Sequence, residues 1–278
     1  MRILTISAWV FGAAILAAAT PASAIDVNSL SSDAGLLDTW MDGTNPALNL
    51  TRNGGTVSLS GDQSPDGDGS LRLYSPDSGG KATAVYFGSQ GGLGRLRYLQ
   101  SISYQYYRDS SSTNPASQAP SLRLYVSDGS GRVGTLVYEP VYNGVASVPE
   151  DSWQTVDAFS GNWWLFEGGV FENFSLTLAD WLTDNTFQNS TNTASAKGFG
   201  NDAMILGLDI GIGSGWAGES LAYVDHIALL FKTDDHYVYG FDWNFQGERT
   251  DVPEPASLAL LGAGLAGVCF LRRRGARG

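Results

Sequence analysis

Few side chains in this sequence are equipped for chemistry, and most of those are carboxylates. Asp62, Asp66 and Asp68 crowd one turn, and Asp225 falls in the penultimate strand-like run. Calcium takes six to eight oxygen ligands, which a short acidic turn beside a strand carboxylate can supply. Asp66, Asp68 and Asp225 are therefore the candidate calcium ligands; solvated acidic turns without an ion are the competing reading. The EF-hand pattern is missing, and nothing else in the sequence requires a cofactor. Glycoside hydrolysis needs two carboxylates about 5–10 Å apart. Glu139, Glu150, Glu167 and Glu172 are available, but neither E-x-D-x-x-E nor the G-x-S-x-G nucleophile elbow occurs, so no catalytic residue is assigned. The two histidines, His226 and His236, are too few for a histidine-rich zinc site, and His226 reads as a strand residue beside the core.

Aromatic residues offer the second chemistry. Trp153, Trp163, Trp164, Trp181 and Trp216 are many for one domain. Sugar rings present apolar C–H faces that stack on exposed indoles, although most tryptophans in a β-protein are core filler. Trp153 alternates with Gln154 as a strand residue and is assigned to the core. Trp163 and Trp164 cannot both point inward from an extended segment, so this pair is the candidate glycan platform. The segment Gly213-Ser214-Gly215-Trp216-Ala217-Gly218 satisfies G-x-G-x-x-G, but a strand pattern follows it, Leu221-Ala222-Tyr223-Val224. A dinucleotide site needs a helix N-terminus there, so the segment reads as a glycine-rich turn with Trp216 packed over it.

The elements that must hold these groups are strands. Candidates are residues 56–60, 70–74, 83–87, 101–108, 121–127, 134–142, 152–158, 204–212, 221–231 and 237–243. Leu71 and Leu73 alternate with Arg72 and Tyr74, and Leu122, Leu124 and Val126 alternate with Arg123 and Tyr125. One short helix is predicted, capped by Thr177 with Asp180 three residues on. Residues 109–120 and 187–200 read as loops. Many short strands and almost no helix indicate an all-β, two-sheet antiparallel sandwich.

Both ends differ from this domain. Arg2, an apolar core and Ala22-Ser23-Ala24 make residues 1–24 a secretory signal with cleavage after Ala24. The last residues, 253–278, hold Pro253-Glu254-Pro255, an apolar run over 256–271 and the cluster Arg272-Arg273-Arg274. Sixteen residues of helix are roughly 24 Å long, short of a hydrocarbon core of about 30 Å. The arginines would hold that end in the cytoplasm. Removing Arg2, Glu254 and the four tail arginines leaves residues 25–252 with 11 Lys and Arg against 27 Asp and Glu, a formal charge of −16. Such a surface repels nucleic acid and anionic lipid. The single cysteine, Cys269, lies in the tail, so the domain has no disulfide.

The tail closely resembles the PEP-CTERM sorting signal over residues 252–278. That resemblance implies a Gram-negative exported protein, processed by a membrane transpeptidase of the exosortase type after transient insertion of the tail, and associated with an extracellular polysaccharide matrix. Two further segments resemble bacterial jelly-roll modules of the carbohydrate-binding kind: Gly67-Asp68-Gly69-Ser70-Leu71-Arg72-Leu73, and the 213–218 turn leading into Tyr223-Val224-Asp225-His226-Ile227. His226 departs from the Asn or Asp usual there. In such modules a structural calcium often joins the early strand to the late one. The expectation is a jelly-roll sandwich and a non-catalytic envelope or matrix protein, with extracellular polysaccharide as its partner. The alternatives are a secreted glycan-active enzyme on the same scaffold and a purely structural matrix component.

Overall fold

The computed structural model describes residues 23–247. Ala22 of the expected cleavage site lies outside them. So do Pro253, Glu254, Pro255, Arg272, Arg273 and Arg274, and the expected C-terminal helix. Ala24 is exposed, immediately before the first strand.

In chain order the strands begin β1 (Ile25–Val27), β2 (Trp40–Met41), β3 (Thr56–Ser60), β4 (Ser70–Ser75), β5 (Lys81–Phe87) and β6 (Gly94–Arg95). They continue with β7 (Leu99–Arg108), β8 (Ser121–Ser127), β9 (Val133–Tyr138), β10 (Trp153–Asp157), β11 (Trp164–Phe166) and β12 (Val170–Phe171). After a one-turn helix, α1 (Leu178–Trp181), come β13 (Thr186–Gln188), β14 (Ser195–Lys197), β15 (Met204–Gly213), β16 (Ser220–Lys232) and β17 (Val238–Phe245). The first sheet holds β1, β3, β4, β7, β10, β16 and β17. The second runs β12-β11-β9-β8-β15-β5-β2, with β6 also on β15. Every pairing of named strands is antiparallel except β1 with β17. The two-sheet all-β sandwich read from the sequence is the architecture of the described residues.

Alternation explains which face each strand buries. Leu122, Leu124 and Val126 of β8, Leu208, Ile210 and Ile212 of β15, and Ala82, Ala84 and Tyr86 of β5 all lie in the core. They meet Leu71, Leu73, Ile102, Tyr104, Val224 and Leu229 of the first sheet in one hydrophobic cluster. Each large side chain so buried contributes roughly 1.5–3 kcal/mol, which a domain without disulfides must accumulate many times over.

Two predicted elements change. The run 134–142 stops at Tyr138, where Pro140 opens a 3-10 turn (Pro140–Asn143), because proline has no N–H for the ladder. Residues 187–200 are not a plain loop, since β13 and β14 pair across them. The helix has the predicted capping box: Thr177 accepts from the Asp180 backbone N–H, and the Asp180 carboxylate accepts from the Thr177 backbone N–H.

One irregularity matters later. β16 pairs with β7 along one side. On its other side it pairs first with β4, through Val224, and then with β17, from Ile227. After Asp225 the strand bulges at His226 and Ile227, which together face one residue of β7, with His226 at φ +47°. The extra residue shifts the inward parity from Ala222 and Val224 to Ile227, Leu229 and Phe231, so apolar residues face the core on both sides of it.

Candidate functional site

The outward face of the second sheet carries a cleft, and its floor follows from an alternation in β15. Inward Leu208, Ile210 and Ile212 alternate with outward Gly207, Asp209, Gly211 and Gly213. Three of the four outward positions thus have no side chain. A Cβ at Gly211 would lie 2.3 Å from Thr83 Oγ1 and one at Gly207 2.5 Å from the Phe87 ring, so side chains of β5 cover these two glycines. The cavity measures about 500 Å³ and meets β15 only at Asp209 and Gly213. Arg123 and Tyr125 of β8, Val137 of β9, and Trp164 and Phe166 of β11 line it, with Glu139, Lys81, Arg52 and Trp216 at its edges.

Asp209 organises the polar floor. It is buried, and it accepts from Arg123 Nη1 at 2.6 Å through one oxygen and from Tyr125 Oη at 2.6 Å through the other. Burial works against the Arg123 charge, but Asp209 more than offsets it and the guanidinium is held more firmly protonated. Burial, and then Asp209, push the Tyr125 hydroxyl up. Burial also raises Glu139, while Arg123 and a hydrogen bond from Trp164 Nε1 (3.3 Å) pull it back. Burial lowers the Lys81 ammonium to about 8, with Arg123 adding to the effect, Asp209 opposing it and Arg52 adding again.

The predicted tryptophan platform is divided. Trp163 is fully buried and donates from Nε1 to the Ala158 carbonyl at 2.9 Å, so it belongs to the core and cannot stack on a ligand. Strand alternation from Trp163 turns Trp164 and Phe166 outward, and Phe166 is 47% exposed. Trp153, read as core, is only half-buried and packs on Tyr107 at 5.8 Å between ring centroids. Trp216 is half-buried against the core, and the 213–218 segment is a turn between β15 and β16, so no helix is there to hold a phosphate. The remaining candidate carboxylates lie apart from the cleft or are already engaged: Glu150 pairs with Arg108, Glu167 with Arg132 at 2.7 Å, and Glu172 accepts from Thr191.

A second cavity, of about 710 Å³, lies between β12 and the β13–β14 hairpin. Its Arg132 and Lys197 are already matched by Glu167 and Asp184.

Two of the three predicted calcium ligands, Asp66 and Asp225, meet at the β16 bulge together with His226, and Asp68 is outside that group. Carboxylate oxygens of Asp66 and Asp225 and a ring nitrogen of His226 lie within 4.8 Å of one another. Asp68 stands beside them, accepting from Asn244 Nδ2 at 2.7 Å and Gln246 Nε2 at 3.0 Å. Asp225 Oδ1 accepts from the Phe245 backbone N–H at 2.8 Å, which ties β16 to the end of β17. Three buried oxygens at this site have no hydrogen-bond partner among the described residues: Asp225 Oδ2, Asp242 Oδ1 and Asn244 Oδ1. Orphaned buried oxygens are costly unless something satisfies them, and an oxygen-rich set is what a hard cation takes. The residues present therefore fit calcium, with one discordant member. His226 Nε2 lies 3.0 Å from Asp66 and Nδ1 lies 3.6 Å from Asp242, placing a nitrogen where further oxygen would be expected. Asp242 and Asn244 escaped the sequence reading, although their alternation with the core residues Trp243 and Phe245 was there to be read.

Beyond the sandwich, residues 251–274 match the PEP-CTERM protein-sorting motif. The chain ends in a PEP-CTERM tail. That tail implies export, sorting to a bacterial cell envelope and processing by an exosortase. No curated protein matches the PEP-CTERM chain. Among solved structures it is similar to the Family 11 Carbohydrate-Binding Module from Clostridium thermocellum in complex with a beta-1,3-1,4-mixed-linked tetrasaccharide. Identity is 14%, over 70% of this chain and 92% of that one, with a TM-score of 0.35. The Family 11 module of the cellulosomal cellulase Lic26A-Cel5E of Clostridium thermocellum is similar at 14% identity and TM-score 0.35, covering 77% of this chain and all of that one. A beta-1,2-glucanase from Parabacteroides distasonis gives 16% identity and TM-score 0.35, over 64% of this chain and 21% of that one. Likeness at this level is no ground for transferring a site or a ligand.

Proposed function

We propose that this protein is a non-catalytic polysaccharide-binding component of a Gram-negative envelope or extracellular matrix. Its tail enters the inner membrane transiently and is processed by an exosortase. The binding site is the cleft over β15. The observation that carries the reading is the pairing of outward Trp164 and Phe166 of β11 with a cleft of about 500 Å³ whose other walls are polar, Arg123, Tyr125, Glu139 and Asp209. Outward aromatic faces at the edge of a polar cleft suit a chain of sugar rings, and Arg123, Tyr125 and Glu139 supply hydrogen bonds to hydroxyls. A calcium ion held by Asp66, Asp68, Asp225, Asp242 and Asn244 would lock the end of β17 to the start of β4, a structural role at a distance from the cleft.

Glycan cleavage is the other reading, favoured by one observation: burial raises Glu139 in the same cleft that holds an ion-paired Asp209. Against it, Arg123 and Tyr125 occupy both oxygens of Asp209, which is 1% exposed and has no face free to attack a sugar. Affinity electrophoresis of the purified chain through gels containing different polysaccharides tests the proposal. Retardation by at least one glycan, lost in Trp164→Ala and unaccompanied by new reducing ends, is the expected result. Retardation by none of them would leave a purely structural matrix role, and release of reducing ends would make the protein an enzyme.

A further inference from the structure

The cleft concentrates positive charge on a strongly negative domain. Arg52 and Lys81 are direct backbone partners, each N–H donating to the other's carbonyl, at 2.9 and 3.1 Å. Like charges on directly opposed residues repel, and Arg123 of the same cleft adds a third cation. Its charge is met by Asp209. Among the described residues Arg52 and Lys81, like Arg72 and Lys232, have no carboxylate oxygen within 4.0 Å, whereas Arg95, Arg97, Arg108, Arg132 and Lys197 each have at least one. Of the four without one, Arg52 and Lys81 are the two that line the cleft. Arg52 is fixed in place instead by neutral groups, donating from Nη1 to the Asn49 carbonyl at 2.7 Å and from Nη2 to Ser214 Oγ at 3.2 Å.

In a domain with 27 carboxylates, an adjacent cation pair left unmatched in a cleft marks where an anion from outside would be accommodated. We propose that Arg52 and Lys81 receive the carboxylate of an acidic sugar, so that the cleft takes a uronic-acid-containing polysaccharide. This rests on the reading of the cleft as a glycan site. The uronate carboxylate sits at the cation pair, while neighbouring sugar rings continue past Arg123 and Tyr125 toward Trp164. Burial of Lys81 supports the assignment: a partly dehydrated ammonium without a counter-ion gains more from an arriving anion than a solvated one would.

The test is calorimetric titration of the purified full chain at pH 6.5 with three oligosaccharide sets of equal length: polyuronate, uncharged glucan and sulfated glucan. Polyuronate is expected to bind at least about tenfold more tightly than uncharged glucan, a ratio set by one charge-assisted contact. Arg52→Gln with Lys81→Gln should remove that ratio while leaving the circular dichroism and the Trp164-dependent residual binding intact. Equal affinity for uncharged and uronate chains, unaffected by the double substitution but lost in Trp164→Ala, would overturn the acidic-sugar assignment and leave the glycan cleft standing. Sulfated chains binding as tightly as polyuronate, and losing as much in 0.5 M salt, would reduce the pair to non-specific charge attraction. Binding by none of the three, with Trp164→Ala indifferent, would overturn the underlying reading of the cleft instead.

Discussion

Trp163 and Trp164 are adjacent in sequence, and strand alternation gives them opposite fates. Trp163 is sealed in the core with its indole N–H satisfied, and its replacement by alanine should cost about 3–5 kcal/mol. For a domain of this size that lowers the melting temperature by roughly 6–20 °C, readable by calorimetry. Trp164→Ala should leave the melting temperature nearly unchanged and weaken glycan affinity about tenfold or more. The reverse pattern would put the platform on the wrong residue. Lys81 supplies a pH dependence. Its ammonium is lowered to about 8 in the free protein, and a bound carboxylate raises it. Binding of an acidic glycan therefore takes up a proton near that pH, and affinity falls as pH rises from 7 to 9. Arg123 is held more firmly protonated, Tyr125 is pushed above this range, and Lys81→Gln should abolish the slope between pH 7 and 9. Glu139, raised by burial in the same space, is the carboxyl to which any residual slope would be traced.

At the scale of elements, β15 and β16 decide both candidate sites. The outward Gly207 and Gly211 of β15 leave room for Phe87 and Thr83 of β5 to pack over the strand. Gly211→Ala should be destabilising by about 1–3 kcal/mol even though it adds one methyl, as denaturant titration would show. The β16 bulge places Asp225 and His226 in the gap between β4 and β17. Calcium at a hundredfold excess over its dissociation constant should stabilise the fold by about 2.7 kcal/mol. A chelator should reverse this, and Asp225→Asn should weaken it. His226→Asn should strengthen calcium binding, since asparagine offers an oxygen and tolerates the positive φ of this position. If titration calorimetry finds calcium affinity lower in that variant, the imidazole belongs to the site and the preferred metal is a softer one.

For the whole molecule, charge and targeting act together. A domain of formal charge −16 repels acidic polymers everywhere except where cations gather. Binding of a polyuronate should thus be confined to the cleft, and it should weaken with salt as screening shortens the reach of Arg52 and Lys81. The PEP-CTERM tail addresses a different scale, the envelope itself. A chain ending before Pro253 should fold as the same sandwich but appear in the culture medium, and fractionation of cells and medium would reveal equal retention if the tail had no part in it.

Strand alternation alone made most of the sandwich legible. The alternating runs 56–60 and 121–127 coincide with β3 and β8, and the Thr177–Asp180 capping box forms as read, because side-chain period and local hydrogen bonds are properties of the chain. The PEP-CTERM tail was equally legible, being a linear signal. The cleft was not. Arg52, Lys81, Arg123, Glu139, Trp164 and Asp209 come from six separated segments, and only sheet order brings β5, β15, β8, β9 and β11 side by side. The same holds at the bulge, where Asp66 meets His226 across 160 positions of sequence. Which neighbour a strand pairs with depends on long-range burial shared by the whole core, whereas which way its side chains point depends on two adjacent peptide units.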